Sequence, residues 1–550
     1  MTGYQFMQLP DLQFHGEKQA GSVSGCDGVI VVFHDAEALA TLNIPSSLDP
    51  SVKLLTEFVK SDESSKKKDV NVIINSNLPG GKMIVTPTGP LLRDHDDVRR
   101  YAEAVKRAIS RAKSMETMKR PLLVLQPPPF DKMEESVRAE FALYYEVATL
   151  AALAEMHEPV EARETLPDLE QKALKGLQVV ILGEDESVLA TKLEFVKAIE
   201  TGRRLARDIG SPDPERMSSI NAAETVKTFM STLSNVQVSV IESLETLKKE
   251  YPLFAAVTRA AEHVPRHAPR VVHLEYRSPD QSQVTEELYM VGKGINYDTG
   301  GANIKTGGNM TGMSRDKCGA AAMAGFVATC AMLKPKHINL SVDLAFARNS
   351  VGSNAYVADE IIRSRAGVRV RVGNTDAEGR MVMADLLAQM KERALASSDP
   401  SKARIFTCAT LTGHCVYAYG PYVAAMENGP AKMLRLGERL KCNGQKIGDC
   451  LEVSTMRPED YEVISPVTNC EDVLQIPMRS SGMIARGHQY PAAFLAIASG
   501  LNKHSLDVEP QKRLAYTHLD VAGAAEEKPG PYGRITATPI AALTMTFLKN

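Results

Sequence analysis

Two stretches of this chain concentrate charged residues that could do chemistry. The first is YMVGKGINYDTGGANIKTGGNMTGMSRDKCGAAA, residues 289–322, which carries Lys293, Asp298, Lys305 and Asp316. The second is NTDAEGR, residues 374–380, which carries Asp376, Glu378 and Arg380. Three aspartates and a glutamate buried together without partners would repel one another and lose their hydration at great cost. Two divalent cations would relieve both penalties. Carboxylates can bridge two metals ~3.5–4 Å apart, and such a pair activates a shared water for hydrolysis. Glycines at 292, 294, 300, 301, 307 and 308 would let the backbone turn tightly and approach a ligand closely.

Plainer readings stand beside this one. Acids in the first turn of a helix answer its dipole, and a glycine-rich loop with a lysine can cradle phosphate. The GxxxxGK[ST] and GxGxxG patterns are both absent, and so is HExxH. Spacing alone ranks a metal-assisted hydrolase ahead of a nucleotide-binding enzyme and goes no further.

These residues can act together only if the fold gathers them. In open α/β sheets reacting groups collect beyond the carboxyl ends of strands. Each stretch leaves an apolar run at such an end, LYMVGKG for the first and VRVRVG for the second. INLSVDLAFA and ARIFTCATL are further candidate strands whose near-continuous apolar character suits a buried sheet. GAAAMAGFVATCAML and MVMADLLAQMKERALA are candidate helices; in the second, Val382, Leu386, Leu387 and Met390 share a face that reads as core. The first third alternates the runs GVIVVFHD, VNVIINSN, KMIVTPTG, PLLVLQPPP and LQVVILGE with helical stretches such as DVRRYAEAVKRAISRAKSMET. A further helical pattern, ESVLATKLEFVKAIETGRRLARDIG, stops on Gly210 before SPDP. The expected fold is therefore α/β, in two domains. A smaller N-terminal α/β domain spans residues 1–195 and ends in a linker helix around 186–209. A larger catalytic α/β domain spans 196–550, with a mixed central sheet flanked by helices.

A length of 550 residues agrees with two domains. Hydrophobic content of 44% and charged content of 24% are those of a soluble globular protein. Sixty-four basic residues against 67 acidic ones leave a net charge of −3, which supplies no general attraction to nucleic acid or acidic membranes. The N-terminus, MTGYQFMQLPDLQFHGEKQ, has no apolar core of a secretory signal, and no run approaches the ~18 apolar residues of a membrane helix. The 8 cysteines form no CxxC and sit mostly among small or apolar residues, the pattern of buried free thiols in a reducing cytosol. A cytoplasmic location is expected. SDESSKKKD, residues 61–69, reads as a solvated surface loop.

The motifs are similar to those of the cytosol leucine aminopeptidase family. VGKGINYDTGGANIK and GMSRDKCGAAA resemble that family's VGKG-x-x-[FY]D-[ST]GG-x-x-IK and GM-x-x-D-x-x-GAAA, NTDAEGR resembles its signature, and ATLTG and THLDVAGAA also match. The likeness runs from about residue 200 to the end. In the N-terminal third it extends only to the α/β alternation. Within the family it is strongest toward an animal aminopeptidase-like branch.

The resemblance implies two divalent metals per subunit, zinc or manganese. Asp298 and Glu378 would bridge them, Asp376 would complete the looser site, and Lys293 and Asp316 would complete the other. Lys293 could ligate only as a neutral amine, its proton displaced by the neighbouring cation. Lys305 would polarise the scissile carbonyl, and Arg380 would hold a bicarbonate that takes the proton of the attacking water. Met313, Asn374, Ala377, Thr410, Leu411 and Gly413 would line the first side-chain pocket or hold the substrate backbone, favouring Leu-like residues. The substrates would be peptides with a free N-terminus, and the assembly a homohexamer of two stacked trimers.

Some positions depart from the family pattern. Asn296 and Tyr297 precede Asp298 where a small or β-branched residue and Phe are usual, Lys317 and Cys318 follow Asp316, and the linker TGGNMTG keeps its length but not its composition. None of these removes a ligand, so activity is expected, with Lys317 pointing away from the cluster. His414 reads as a pocket-lining or satisfied histidine and His518 as structural, while Tyr417 and Tyr419 read as pocket or interface residues. Two competing functions are a catalytically silent homologue serving as a binding or scaffold oligomer, and a nucleic-acid-binding regulator. Retention of all five ligands together with Lys305 and Arg380 opposes the first. The near-neutral charge opposes the second.

Overall fold

Runs such as VIVVF and LLVL are apolar at every position, so they suit strands covered on both faces. In the computed structural model they form the centre of a six-stranded sheet. The structure describes residues 4–16, 23–40, 49–61, 69–182, 186–478, 484–527 and 532–549. The strands are β1 (Asp11–His15), β2 (Val29–Phe33), β3 (Asn71–Ile74), β4 (Lys82–Pro87), β5 (Leu122–Leu125) and β6 (Gly176–Val180), in spatial order β1-β6-β5-β2-β4-β3. All neighbours pair parallel except β3, which lies antiparallel at one edge. The expected loop at 61–69 falls largely on 62–68, outside the described residues.

The chain divides into two compact units. One contains residues from Met7 to Thr201 together with Gln445–Asp449, and the other contains Gly202–Gly444, Cys450–Asn550 and the residues before Met7. The division falls inside the helix Glu186–Ile209, at Thr201, rather than at residue 195.

The larger unit is built on an eight-stranded mixed sheet. Its strands are β7 (Val236–Ile241), β8 (Arg270–Tyr276), β9 (Glu286–Asp298), β10 (Ile338–Asn349), β13 (Ala403–Ala409), β14 (Val423–Glu427), β15 (Leu451–Val453) and β17 (Ala515–Asp520). A separate three-stranded sheet holds β11 (Ile361–Arg363), β12 (Arg369–Arg371) and β16 (Val473–Leu474). The large sheet runs β15-β14-β17-β13-β9-β10-β8-β7, with β9 central and parallel to both its neighbours, β10 and β13.

Alternation along β9 assigns its two faces. Leu288 and Met290 join the core built with the helix Cys318–Leu333, while Tyr289, Val291 and Ile295 join the core built with the helix Glu378–Ala396. The first helix can lie close because Gly292 has no side chain: a Cβ there would sit 2.5 Å from Ala320 Cα. In the second helix Val382, Leu386, Leu387 and Met390 are fully buried, as their spacing predicts.

Three expectations need correction. VRVRVG does not enter the central sheet; only Arg369–Arg371 are extended, in the small sheet, because the segment runs directly into the turn at Asn374. The strand expected at LYMVGKG continues to Asp298. The cysteines form no disulfide among the described residues, but Cys442 and Cys470 are exposed, and Cys26 and Cys450 half-buried, rather than buried. No helix of the described residues is long and apolar enough to cross a membrane.

Candidate active site

Lys293 and Asp298 lie an odd number of residues apart, so strict pleating would aim them at opposite faces of the sheet. A bulge prevents this. Ile295 pairs with Ala347, but Asp298 pairs with Asn349, so β9 carries one residue more than β10 across that step. The extra residue turns Asp298 back to the face that Lys293 occupies. Lys293 fits there only because residue 379 is glycine: a Cβ on Gly379 would lie 2.8 Å from the Cδ and Cε of Lys293 and 2.7 Å from Leu411 Cδ1.

Around these two residues the other charged groups gather. Lys293 Nζ lies 2.7 Å from Asp316 Oδ1 and 2.8 Å from Glu378 Oε1, and donates to the Thr410 carbonyl at 3.0 Å. Lys305 Nζ lies 2.8 Å from Asp298 Oδ2 and also pairs with Asp376 Oδ1. Ligand oxygens of Asp298, Asp376 and Glu378 all fall within 4.8 Å of one another. Lys293, Asp298, Asp316 and Glu378 are buried, whereas the Asp376 side chain is 34% exposed and opens the cluster to solvent.

Local backbone chemistry sets these positions. Gly300 and Gly301 both adopt positive φ, and a Cβ on Gly300 would meet the Asn303 carbonyl at 2.4 Å, so this turn requires glycine. The turn aims the Gly300 N–H at Asp298 Oδ1, 2.9 Å away. Asn374 caps the short turn Thr375–Ala377 by accepting from the Asp376 N–H at 2.8 Å, after which Glu378 opens its helix. The carboxylate of Glu378 therefore occupies the first turn, where the dipole favours it.

Four carboxylates and two ammonium groups do not balance. Burial would pull the Lys293 ammonium down, but Asp316, Glu378 and Asp298 outweigh it and raise its pKa above the ordinary lysine value. Lys305 is likewise depressed by burial and raised, on balance, by Asp298, Glu378 and Asp376. Burial pushes Asp316 well above the usual carboxylate range despite Lys293. Glu378 is raised by burial and then by Asp298. Asp376 is pushed up to about 7 by burial, followed by Asp298 and Glu378. Without a further cation these crowded carboxyls are thus driven to hold protons, and Asp316 Oδ2 is buried without a partner. An oxygen-rich set with more carboxyls than ammonium groups and an orphaned carboxylate oxygen fits hard or borderline divalent cations.

Arg380 is buried beside this cluster. Its Nη1 donates to the Gln475 carbonyl at 2.8 Å, its guanidinium lies 4.9 Å from the centre of the Tyr490 ring, and its Nε has no partner. An unpaired buried N–H on a cation is a ready site for a small anion. Lys317 turns away, donating to the carbonyls of Ser211 at 2.8 Å and Ser314 at 2.5 Å.

The six expected pocket residues behave differently from one another. Thr410 is committed to the charged cluster: its hydroxyl donates to Asp316 Oδ1 at 2.8 Å. Asn374 is committed to its cap, and the Ala377 carbonyl accepts from Gln475 at 3.1 Å. Leu411 packs at Gly379, with its N–H donating to Asp520 at 3.1 Å. Met313 is partly buried and Gly413 exposed. His414 lies against Gly487, where a Cβ would fall 2.2 Å from its ring. His518 is buried with Nδ1 2.7 Å from the Thr407 hydroxyl. Tyr417 is exposed, and the ring of Tyr419 stands 5.4 Å from that of His488.

Sequence reasoning missed the residues that hold this site from behind. Asn349 Nδ2 donates to Asp298 Oδ1 at 2.7 Å and to the Thr375 carbonyl at 3.0 Å. Tyr356 donates to the same carbonyl at 2.8 Å. Gln475 accepts from the N–H groups of Gly373 and Asn374, both at 2.9 Å. An amide closing the apolar strand INLSVDLAFARN was a visible signal for Asn349. Tyr356 and Gln475 lie in segments with no pattern to flag them.

The model of the cytosol aminopeptidase family's catalytic domain matches residues 204–544. Protein W07G4.4 of Caenorhabditis elegans is 37% identical over 486 residues, covering 88% of this chain and 88% of its own. A relative from Xanthomonas campestris pv. campestris, named "Probable cytosol aminopeptidase", is 28% identical over 373 residues, covering 68% of this chain and 67% of its own. Among solved structures, the leucyl aminopeptidase of Trypanosoma brucei in complex with bestatin superposes with a TM-score of 0.75 at 20% identity, over 98% of this chain and 96% of that one. The bottromycin maturation enzyme BotP in complex with Mn superposes with a TM-score of 0.70 at 18% identity, over 95% and 99%. At such identities the structural matches speak for the fold.

Proposed function

The chain belongs to the cytosol aminopeptidase family, and from that membership we propose that it is a metal-dependent aminopeptidase removing N-terminal, Leu-like residues from peptides. The observation that carries the proposal is the convergence of Asp298, Asp376 and Glu378 within 4.8 Å, with Lys293, Lys305 and Asp316 packed against them.

In this reading Asp298 and Glu378, together with Asp376, Lys293 and Asp316, would hold two divalent cations, zinc or manganese. When bound, those ions would lower the pKa of a water and polarise the scissile carbonyl. Lys293 would join such a site only as a neutral amine, giving up the proton that its carboxylate neighbours otherwise hold on it. Lys305, with its ammonium already fixed beside Asp298 and Asp376, would stabilise the negative charge that develops on the carbonyl oxygen. Arg380, braced by the Gln475 carbonyl and Tyr490, would hold bicarbonate through its unpaired Nε–H and so supply the proton acceptor. Met313, Leu411 and Gly413 would border the first side-chain pocket, while Asn374, Ala377 and Thr410 would act chiefly by fixing the backbone and the ligands around it.

Hydrolysis of Leu-amide tests the proposal. Protein stripped of metal should be inactive and should recover on addition of Mn or Zn, while Glu378→Ala and Asp298→Ala should stay inactive under the same treatment. Absence of turnover in the metal-restored wild type would refute it. A homohexamer in the cytoplasm belongs to the same proposal. Light scattering should give a single species at six times the 59.9 kDa chain mass.

A further inference from the structure

The sheet face that carries Lys293 opens again at its other end. There the first residues of β9 and β10, the end of β8 and the last turn of the helix Glu378–Ala396 enclose a cavity of about 500 Å3. Its floor is Ser341 of β10, in register with Tyr289 of β9 and Glu275 of β8. A small side chain in a central strand leaves space that a larger one would fill. Glu287 and Arg277 stand one row further out, and Arg393 closes the cleft from the helix.

The charges in this cleft are not equally satisfied. Arg277 and Glu275 pair with each other at 2.5 Å. Arg393 has no carboxylate partner of its own among the described residues; its Nη1 lies 2.6 Å from His273 Nε2, and His273 Nδ1 lies 2.8 Å from Asp343 Oδ1. Since Arg393 can only donate, His273 accepts through Nε2 and donates its Nδ1–H to Asp343. Asp343 is buried, and its Oδ2 has no partner. A buried carboxylate acting through a neutral imidazole thus fixes the guanidinium in place. On β9, Glu287 accepts from the Tyr289 hydroxyl at 3.0 Å and pairs with no cation among the described residues. One prepositioned cation and one uncommitted anion share a walled, polar space.

We infer that this cleft is a second ligand site, shaped for a small zwitterion whose carboxylate meets Arg393 and whose ammonium meets Glu287, the chemistry of a free α-amino acid. The anions Glu275 and Glu287 disfavour phosphate-bearing guests, and the sparse apolar lining disfavours a hydrophobic peptide. Two of the elements that build the cleft also build the carboxylate cluster. β9 carries Glu287 near its start and Asp298 at its end, and the helix that ends near Arg393 begins at Glu378. A free amino acid is also the product of the hydrolysis proposed above. That connection rests on the aminopeptidase reading, whereas binding in the cleft does not.

Equilibrium dialysis of labelled L-leucine and L-glutamate against the full, metal-loaded chain tests the inference. The comparison is with Arg393→Gln, Glu287→Gln and Ser341→Leu. Wild type is expected to bind one amino acid more per chain than each variant at concentrations up to about 10 mM. Turnover of Leu-amide without added amino acid should agree within about twofold, since ordinary surface substitutions away from a site change little. Acetate or methylammonium alone, each offering half of the contacts, should compete at least about tenfold less well. Glu287→Gln, at a partly exposed position, keeps the test open if melting shows that Ser341→Leu or Arg393→Gln has lost its fold. Equal stoichiometry in wild type and the folded variants, or no amino acid bound beyond the catalytic pocket, would overturn the inference whether or not Leu-amide is hydrolysed.

Discussion

Asn349 donates one amide N–H group to Asp298 and another to the Thr375 carbonyl, at 2.7 and 3.0 Å, and is itself fully buried. One side chain therefore ties the end of β9 to the turn that delivers Asp376 and Glu378. It adds to the bonds that Thr375 makes with Gly300 and Asn303 in holding together two stretches separated by about 75 residues of chain. Replacing Asn349 by Ala leaves a buried carboxylate oxygen and a buried carbonyl short of a donor. The expected stability loss is ~1–3 kcal/mol, with metal affinity falling ~10–100-fold as for other residues that orient ligands. Calorimetric titration of metal into the variant would check this independently of turnover. Unaltered affinity would assign Asn349 to packing alone.

Gly379 makes a second prediction possible. Alanine there favours a helix by ~1 kcal/mol, yet its Cβ would fall 2.7 Å from Leu411 Cδ1 and 2.8 Å from the Lys293 side chain. Overpacking of this kind costs ~1–3 kcal/mol, so the two effects offset in part and Gly379→Ala should lose no more than ~2 kcal/mol of stability. Activity should nevertheless fall by ~100-fold, the scale of loss when a group near the chemistry moves by about an ångström. Turnover with the melting temperature as control would decide the matter. A variant with full turnover would show that Lys293 can shift without consequence.

Lys305, unlike Lys293, has no metal-binding duty in the proposed mechanism. Lys305→Ala should retain metal at wild-type stoichiometry and lose ~100–1000-fold in kcat, the usual scale for removing a donor to a developing oxyanion. The measurement pairs metal content by atomic emission with kcat on Leu-amide. Loss of metal together with rate would instead assign Lys305 to holding Asp298 and Asp376, which it contacts in the structure.

How much of this was legible in the sequence varies from residue to residue. The charged groups could be singled out as a candidate set, although their spacing alone also allowed helix-dipole and phosphate readings, and the ligand roles came from the family resemblance. The helix Glu378–Ala396 was legible, since its apolar face at Val382, Leu386 and Met390 follows a local period. The bulge that turns Asp298 toward Lys293 was not. It depends on a register mismatch with β10, a non-local pairing that leaves no mark in INYD. The same limit explains VRVRVG, whose alternation suits a strand anywhere and does not say which sheet it joins. Nothing in ATLTG reveals that the Thr410 hydroxyl is taken by Asp316.

The final prediction concerns pH and two histidines outside the ligand set. His518 is held down to about 3 by burial, with repulsion from Arg380 and His488 added. His488 is held down to about 4 by burial, followed by His414 and Arg486. In the unfolded chain both should titrate near the ordinary value of 6.5. Between that value and about 4 the unfolded state therefore binds more protons than the folded one, so stability rises with pH across the window. This contribution is complete above pH 6.5 and is lost as acid is added. Asp385, pushed up to about 7 by burial, acts with the opposite sign, since the folded state is then the one that holds the proton. Comparing variants isolates the histidines from that opposing effect. In metal-free protein, His488→Gln and His518→Gln should each flatten the dependence of unfolding free energy on pH from 6.5 toward 4, by up to one proton per substitution. Urea melts at a series of pH values measure it directly. A slope identical to that of wild type in both variants would mean that these imidazoles are protonated in the folded state, and that Arg380 sits in a more solvated site than its burial indicates.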